Sequence, residues 1–253
     1  MDESEKIKTN NYRTDGEIKN TKDMEHLFRE SPIPDNELLE NLALYIKRQD
    51  LSRILFFHHL YSQILTIHGV VVEFGVRWGQ DMALFEAFRG IYEPFNHTRK
   101  IIGFDTFAGF PSVHEKDGDA SIVQEGAFSV SENYDQHLEQ VLTAHENESP
   151  NPHIKKHEIV KGDATVEVEK YFSEHPETIV ALAYFDFDIY EPTKKCLEVI
   201  SKHITKGSII GFDELNHADF PGETLALKEI FGLDKYQVRR LPINSCPSYI
   251  VIE

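Results

Sequence analysis

The sequence predicts an α/β fold: a doubly wound, mostly parallel seven-stranded sheet with an N-terminal helical extension. Three observations carry this. From residue 67 onward, short β-branched runs alternate with helical segments. The runs are apolar almost throughout, as strands covered on both faces are. The chain has 253 residues, 40% of them hydrophobic, enough for one α/β domain with a full core.

Residues 1–35 are polar and turn-rich, end in Ser31-Pro32-Ile33-Pro34, and read as a poorly ordered arm. Residues 36–66 turn helical: Leu38, Leu39, Leu42, Leu44 and Ile46 make one candidate, and Ile54, Leu55, Leu60, Ile64 and Leu65 another. Residues 67–253 form the main domain. Strands are expected at Val70–Phe74, Lys100–Phe104, His157–Lys161, Val180–Asp186 and Ser208–Asp213, with a final pair at Tyr236–Leu241 and Ser248–Ile252. Helices are expected near Gln80–Arg89, Glu132–His145 (Ser131 as N-cap), Thr165–Ser173, Thr193–His203 and Gly222–Ile230. Ligands of such sheets bind beyond the C-terminal ends of the strands.

With 43 acidic and 26 basic residues the formal net charge is −17, a field that repels polyanions. Neither nucleic acid nor a membrane is expected as partner. No stretch approaches the roughly 20 apolar residues of a spanning helix. Met1–Asn20 lacks the apolar core of a secretory signal, and Cys196 and Cys246 build no disulfide framework. A cytoplasmic protein with a small neutral, cationic or metal-chelating ligand is the economical expectation, and a homo-oligomer stays open.

The first strand ends Glu73-Phe74-Gly75-Val76-Arg77-Trp78-Gly79-Gln80-Asp81. This E-x-G-x-x-x-G spacing puts a tight turn and a helix N-terminus beside a buried strand, where free amides favour a ligand carboxylate. A plain strand-to-helix turn is the alternative. The second strand ends Phe104-Asp105-Thr106-Phe107, and a carboxylate there can accept from both hydroxyls of a ribose. The third ends Lys161-Gly162-Asp163-Ala164. Gly162 allows a flat base to approach, while Asp163 either accepts from an exocyclic amine or caps the next helix. Together the three ends point to an adenosyl ligand.

The fourth strand runs into Asp186-Phe187-Asp188-Ile189-Tyr190-Glu191-Pro192-Thr193, and the fifth into Asp213-Glu214. On an extended backbone Asp186 and Asp188 point the same way. If the two strands are neighbours, about 5 Å apart, up to four acids converge. Such a cluster is neutralised most simply by a divalent cation, and hard oxygen ligands suit Mg²⁺. A bound cation lowers a substrate hydroxyl's pKa, and a nearby carboxylate can take its proton. Alternatively these acids cap helices or pair with Lys194, Lys195 or Arg239.

These motifs resemble the macrocin O-methyltransferase family of class I S-adenosylmethionine-dependent methyltransferases, over roughly Val70 to Ile230. The family's D-[ST]-F-x-G-[LF]-P segment is matched by Asp105-Thr106-Phe107-Ala108-Gly109-Phe110-Pro111, its D-x-D-x-Y-E-[SP]-T by Asp186–Thr193, and its acidic pair by Asp213-Glu214. The resemblance implies a Rossmann-like fold and O-methylation of a sugar or sugar nucleotide. It implies S-adenosylmethionine contacts at Glu73, Phe74, Gly75, Val76, Gly79 and Asp81, then at Asp105, Thr106 and Phe107, at Gly162, Asp163 and Ala164, and at Asp186. It implies Mg²⁺ at Asp186, Asp213 and Glu214, with Asp188 as general base beside Asp186. The chain departs from the family pattern at Glu214, where Asp is common, at Phe187, where Gly is frequent, and over Leu215–Thr224.

His217 reads as an exposed loop residue or an acceptor contact. His58 and His59 either pack at a helix edge or line the acceptor pocket. Trp78 shields the methionine moiety or fills its turn. Ser112–Phe128 reads as a lid or a surface loop. Two other functions keep the fold: a silent adenosylmethionine-binding assembly protein, and a nicotinamide-dependent oxidoreductase. The absence of G-x-G-x-x-G counts against the latter.

Overall fold

The structure, a computed structural model, describes residues 13–253. Residues 1–12 of the expected arm lie outside the described residues. The remainder of that arm differs from expectation, because Asp15–Arg29 forms a helix, α1, none of whose residues is buried. Its order is local. The Thr14 hydroxyl accepts from the Glu17 amide, and the Glu17 carboxylate accepts from the Thr14 amide at 2.8 Å, a reciprocal capping box.

The run from Leu38 to Ile46 is not one helix. It divides into α2 (Asp35–Leu38) and a 3-10 turn at Leu42–Tyr45, with Leu39 and Leu44 exposed, so nothing buries a continuous apolar face there. In α3 (Arg48–Gln63), by contrast, Phe56, Phe57, Leu60 and Tyr61 are fully buried against the sheet. His58 meets the Tyr92 hydroxyl at 2.6 Å and His59 that of Tyr249 at 2.9 Å, so both pack at the helix edge.

The domain alternates β1 (Val70–Phe74), α4 (Gln80–Tyr92), β2 (Ile101–Asp105), α5 (Tyr134–Asn147), β3 (His157–Lys161) and α6 (Ala164–Glu174). It continues through β4 (Val180–Phe185), α7 (Tyr190–Ile200), β5 (Ile204–Phe212), α8 (Gly222–Ile230), β6 (Arg239–Arg240) and β7 (Ser248–Val251). The sheet has seven strands in the order β3-β2-β1-β4-β5-β7-β6, with β7 antiparallel to both its neighbours. Strand order reverses between β1 and β4, and the crevice opens there. Side chains alternate between two cores. Val72, Ile102 and Ile210 face Val168, Leu197 and Leu227 of α6, α7 and α8; Val71, Ile101 and Leu182 face α3, α4 and α5. No helix among the described residues is long and apolar enough to cross a membrane.

Boundaries moved in three places that matter. The helix α5 begins at Tyr134 with left-handed Asn133 (φ 58°) as its cap, not Ser131. The strand β4 ends at Phe185, and Asp188 is itself left-handed (φ 63°). Asp186 and Asp188 therefore converge because the chain turns, not because an extended strand alternates. β6 is only two residues long.

One row of side chains sets the rim. Phe104, Phe74, Phe185 and Phe212 stand in register on β2, β1, β4 and β5, and their rings stack with centroids 5.3, 4.7 and 5.4 Å apart. Beyond this row the ladder takes one more step. The amides of Gly75, Asp186 and Asp213 bond to the carbonyls of Phe104, Phe74 and Phe185 at 3.0, 2.8 and 3.0 Å. Aromatic packing thus fixes where each functional residue emerges.

Behind β3 lies a buried ion-pair network. Glu146 accepts both Arg89 Nη2 bonds at 3.0 Å and pairs with Lys156, while His157 lies 2.9 Å from Glu86 and 3.2 Å from Glu139. Burial lowers the His157 pKa, but Glu86 and Glu139 overcome this and raise it. A group raised on folding stabilises fully below its unfolded value, about 6.5, and loses that contribution as pH rises through the folded value. The stability gap between the wild type and His157→Gln should therefore narrow from about pH 6 to about pH 9 in urea titrations. A gap that widens with pH would refute the assignment.

Candidate active site

The strand ends enclose a cavity of about 480 Å³. Glu73 lines it, fully buried, and one of its carboxylate oxygens has no hydrogen-bond partner. Burial, then the charges of Asp81 and Asp186, push the Glu73 pKa well up. An orphaned buried carboxylate oxygen of this kind suits a cationic ligand group. Gly75 holds φ 95°, and a Cβ there would collide with the Asp186 carbonyl oxygen. Only glycine closes this turn.

Asp105 is locked at the end of β2. It accepts from the Arg77 amide at 2.8 Å and the Phe107 amide at 2.5 Å. Burial raises its pKa and these amides oppose the rise. Asp163 does cap α6, accepting from the Thr165 amide at 2.9 Å, and still lines the cavity with Gly162 and Ala164. Capping and ligand contact are thus compatible.

Of the expected cofactor contacts, Glu73, Gly75, Val76, Asp81, Asp105, Thr106, Gly162, Asp163, Ala164 and Asp186 line this cavity. Phe74, Gly79 and Phe107 do not: Phe74 belongs to the stacked row, Gly79 packs under Leu138 as the cap of α4, and Phe107 lies in the core facing α3, α4 and α5. Trp78 lines the wall, half exposed, edge-on to Tyr134 at 4.7 Å.

The acids converge as the sequence suggested, but around a residue that the sequence reading missed. Arg53 of α3 reaches into the cavity and donates to Asp81 at 2.6 Å, Asp186 at 2.8 Å and Asp213 at 2.5 Å. Its guanidinium also lies over the Phe57 ring at 5.0 Å. Burial works against its charge; Tyr184, Asp213, Asp81 and Asp186 override this and hold it firmly protonated. Asp213 accepts from the Tyr184 hydroxyl as well, at 2.5 Å. Burial alone would raise its pKa, yet these donors leave it below the ordinary value. No spacing rule links Arg53 to acids more than 130 positions away; only the packing of α3 on the sheet does.

Asp186, Asp188 and Glu214 each offer an oxygen within 4.8 Å of one another, a spacing that can hold a metal ion. Asp213, an expected ligand, is instead engaged by Arg53 and Tyr184. A second unforeseen residue, the acid Glu223 at the start of α8, is fully buried and accepts from the Glu214 amide at 3.2 Å. One oxygen of Glu214 and one of Glu223 remain buried without partners. Burial pushes Asp188 up to about 6, with Glu214 opposing the rise. These orphaned oxygens fit a divalent cation better than they fit an empty nest of acids.

Ser112–Phe128 contributes to the cavity wall. Phe110 and Ala127 pair at its base, with the Phe110 amide donating at 3.1 Å, while Ile122 and Phe128 line the site. Asp117 pins the segment by accepting from the Tyr190 amide at 2.5 Å. His217 stays in the loop after β5, accepting from the Asp219 amide at 3.3 Å, and does not line the cavity.

Neither a protein-family model nor a curated protein matches the chain. Solved structures do. The chain is similar to CalS11, a calicheamicin methyltransferase, with TM-score 0.93 and 42% identity, covering 95% of this chain and 94% of that one. It is similar to the apo structure of CalS11, a TDP-rhamnose 3'-O-methyltransferase, with TM-score 0.84, 39% identity, and coverage of 95% and 96%. It shares the fold of the O-methyltransferase NovP, with TM-score 0.57, 18% identity and 80% of each chain covered. With its strand order, its E-x-G-x-x-x-G turn and its rim of acids, the chain belongs to the macrocin O-methyltransferase family of class I S-adenosylmethionine-dependent methyltransferases.

Proposed function

We propose that this enzyme moves a methyl group from S-adenosylmethionine to a hydroxyl of a sugar, free or nucleotide-linked, with help from a divalent cation such as Mg²⁺. The observation that carries the reading is the single rim on which Glu73, Asp105 and Asp163 stand beside Asp186, Asp188 and Glu214 around one cavity. The similarity to CalS11, a TDP-rhamnose 3'-O-methyltransferase, supports the sugar.

In this reading Asp105 accepts from the ribose hydroxyls, Asp163 faces the base, and Glu73 meets the cationic methionyl end. Asp186 and Glu214 would hold the cation, with Asp188 beside them and Asp213 kept in place by Arg53 and Tyr184. When bound, the cation would lower the pKa of the acceptor hydroxyl. Asp188 takes the hydroxyl proton as oxygen attacks the methyl carbon; the O–CH₃ bond forms, the S–CH₃ bond breaks, and S-adenosylhomocysteine leaves with the sulfur lone pair. The Ser112–Phe128 segment excludes water and holds the reactants in line.

Calorimetry with S-adenosylhomocysteine, then with Mg²⁺, tests both halves. The wild type should bind both, and Glu214→Gln should weaken Mg²⁺ by about tenfold or more while keeping the nucleoside. Product analysis with TDP-rhamnose and free rhamnose tests the acceptor. Failure to bind S-adenosylhomocysteine would refute the cofactor assignment, and a Glu214→Gln variant with wild-type Mg²⁺ affinity would refute the metal set.

A further inference from the structure

Eight carboxylates line the cavity: Glu73, Asp81, Asp105, Asp163, Asp186, Asp188, Asp213 and Glu214. Two cations face them, Arg53 and Arg77. Arg53 is consumed by three of the acids. Arg77 is not. Among the described residues its guanidinium has no carboxylate at ion-pair distance; it lies over the Phe128 ring at 5.0 Å, exposed at the mouth.

The backbone at Arg77 sharpens the question. It sits at φ 48°, a left-handed conformation that glycine or asparagine adopts at lower cost. Its amide is used, donating to Asp105, but any residue except proline supplies an amide. A long cationic side chain at a strained position, stacked on an aromatic ring and unpaired in an acidic cavity, points to an anionic ligand group. The cofactor's carboxylate already has the free amides at the N-terminus of α4. A neutral sugar would have no use for the charge. Phe128, under the guanidinium, belongs to the Ser112–Phe128 segment and lines the same cavity as Asp188, so the guanidinium stands at that segment's edge of the site.

We propose that Arg77 is the diphosphate contact of a nucleotide-linked sugar acceptor, holding the phosphates at the cavity mouth while the sugar hydroxyl lies against Asp188. The guanidinium offers planar paired donors to phosphate oxygens. In a chain of net charge −17 it also gives the dianion a local point of entry. The inference rests on the sugar-transfer reading and narrows it to nucleotide-linked acceptors.

The test is calorimetry of thymidine diphosphate, with S-adenosylhomocysteine present, on the wild type, Arg77→Met and Arg77→Lys. Because Arg77 is exposed, the variants keep the core. Arg77→Met should weaken thymidine diphosphate by at least about tenfold and Arg77→Lys by less, with S-adenosylhomocysteine affinity within about twofold throughout. Unchanged thymidine diphosphate affinity in Arg77→Met, or no binding by the wild type, overturns the proposal. So does an equal loss of S-adenosylhomocysteine affinity, which would assign Arg77 to the cofactor carboxylate. A wild type that binds thymidine diphosphate through Arg77 yet methylates no sugar supports the contact and sinks the transfer reading; methylation of free rhamnose without affinity for thymidine diphosphate does the reverse.

Discussion

Asp188→Asn is expected to lower kcat for methyl transfer by about 10²- to 10⁴-fold, the usual contribution of a positioned general base. The substitution is nearly isosteric and keeps a hydrogen-bonding side chain toward Glu214. It is also benign for the backbone, because Asp188 is left-handed (φ 63°) and asparagine tolerates that conformation as well as aspartate does. A lost rate therefore reports the missing proton acceptor, not a collapsed turn. Single-turnover kinetics, with S-adenosylhomocysteine affinity measured in parallel, separates the two. A variant with wild-type kcat would remove Asp188 from the chemistry, and a change confined to KM would make it a binding group.

Most of the fold was legible because its signals are local and repeated. A strand buried along its length announces itself as an apolar run, as β1 does; β3 also matches its expected bounds, although it is only half-buried and carries His157, Glu158 and Lys161. Where the reading failed, the deciding information was elsewhere. A polar stretch suggested a disordered arm, yet the T-x-x-E spacing of Thr14 and Glu17 was present and caps α1 without any burial. The leucine run after Leu38 looked helical by composition, but no partner surface covers it, so periodicity had nothing to stabilise. The end of β4 was placed one residue late because Asp186 still makes the ladder bond to Phe74 while the chain is already turning.

The site divides in the same way. Residues at strand ends were legible, since a parallel sheet brings all those ends to one edge. Asp105, Asp163 and Asp186 stand there as expected. What the sequence did not expose was partnership. Asp213 looked like a ligand equivalent to Glu214, but Tyr184, 29 positions earlier on β4, and Arg53 on α3 both donate to one of its oxygens. Glu223 stands in the first turn of α8 with nothing in its spacing to single it out; its full burial and its bond to the Glu214 amide are visible only in three dimensions. Arg77 lies inside the E-x-G-x-x-x-G motif, where the glycines account for the turn and nothing in the spacing marks the side chain.

Arg53→Met should cost about 2–4 kcal/mol of stability at pH 7, somewhat below the range for an undone fully buried pair because the Arg53 side chain keeps 25% of its exposure. Methionine retains most of the packing on Phe57, so the loss is chiefly electrostatic: Asp81, Asp186 and Asp213 keep their mutual repulsion without their shared counter-ion. The pH dependence has a definite sign. Asp213 is held below its ordinary value in part by Arg53, so its contribution is present above the unfolded pKa, about 3.9, and disappears as pH falls through the folded value. The wild type should lead the variant most at neutral pH and least in acid, as read from urea unfolding at each pH. Mg²⁺ should recover more stability in the variant than in the wild type, because the ion then answers a larger unpaired charge. Equal unfolding free energies at pH 7 would show that the three carboxylates shed their charge by protonation instead, and Arg53 would then be a bystander on the cavity wall.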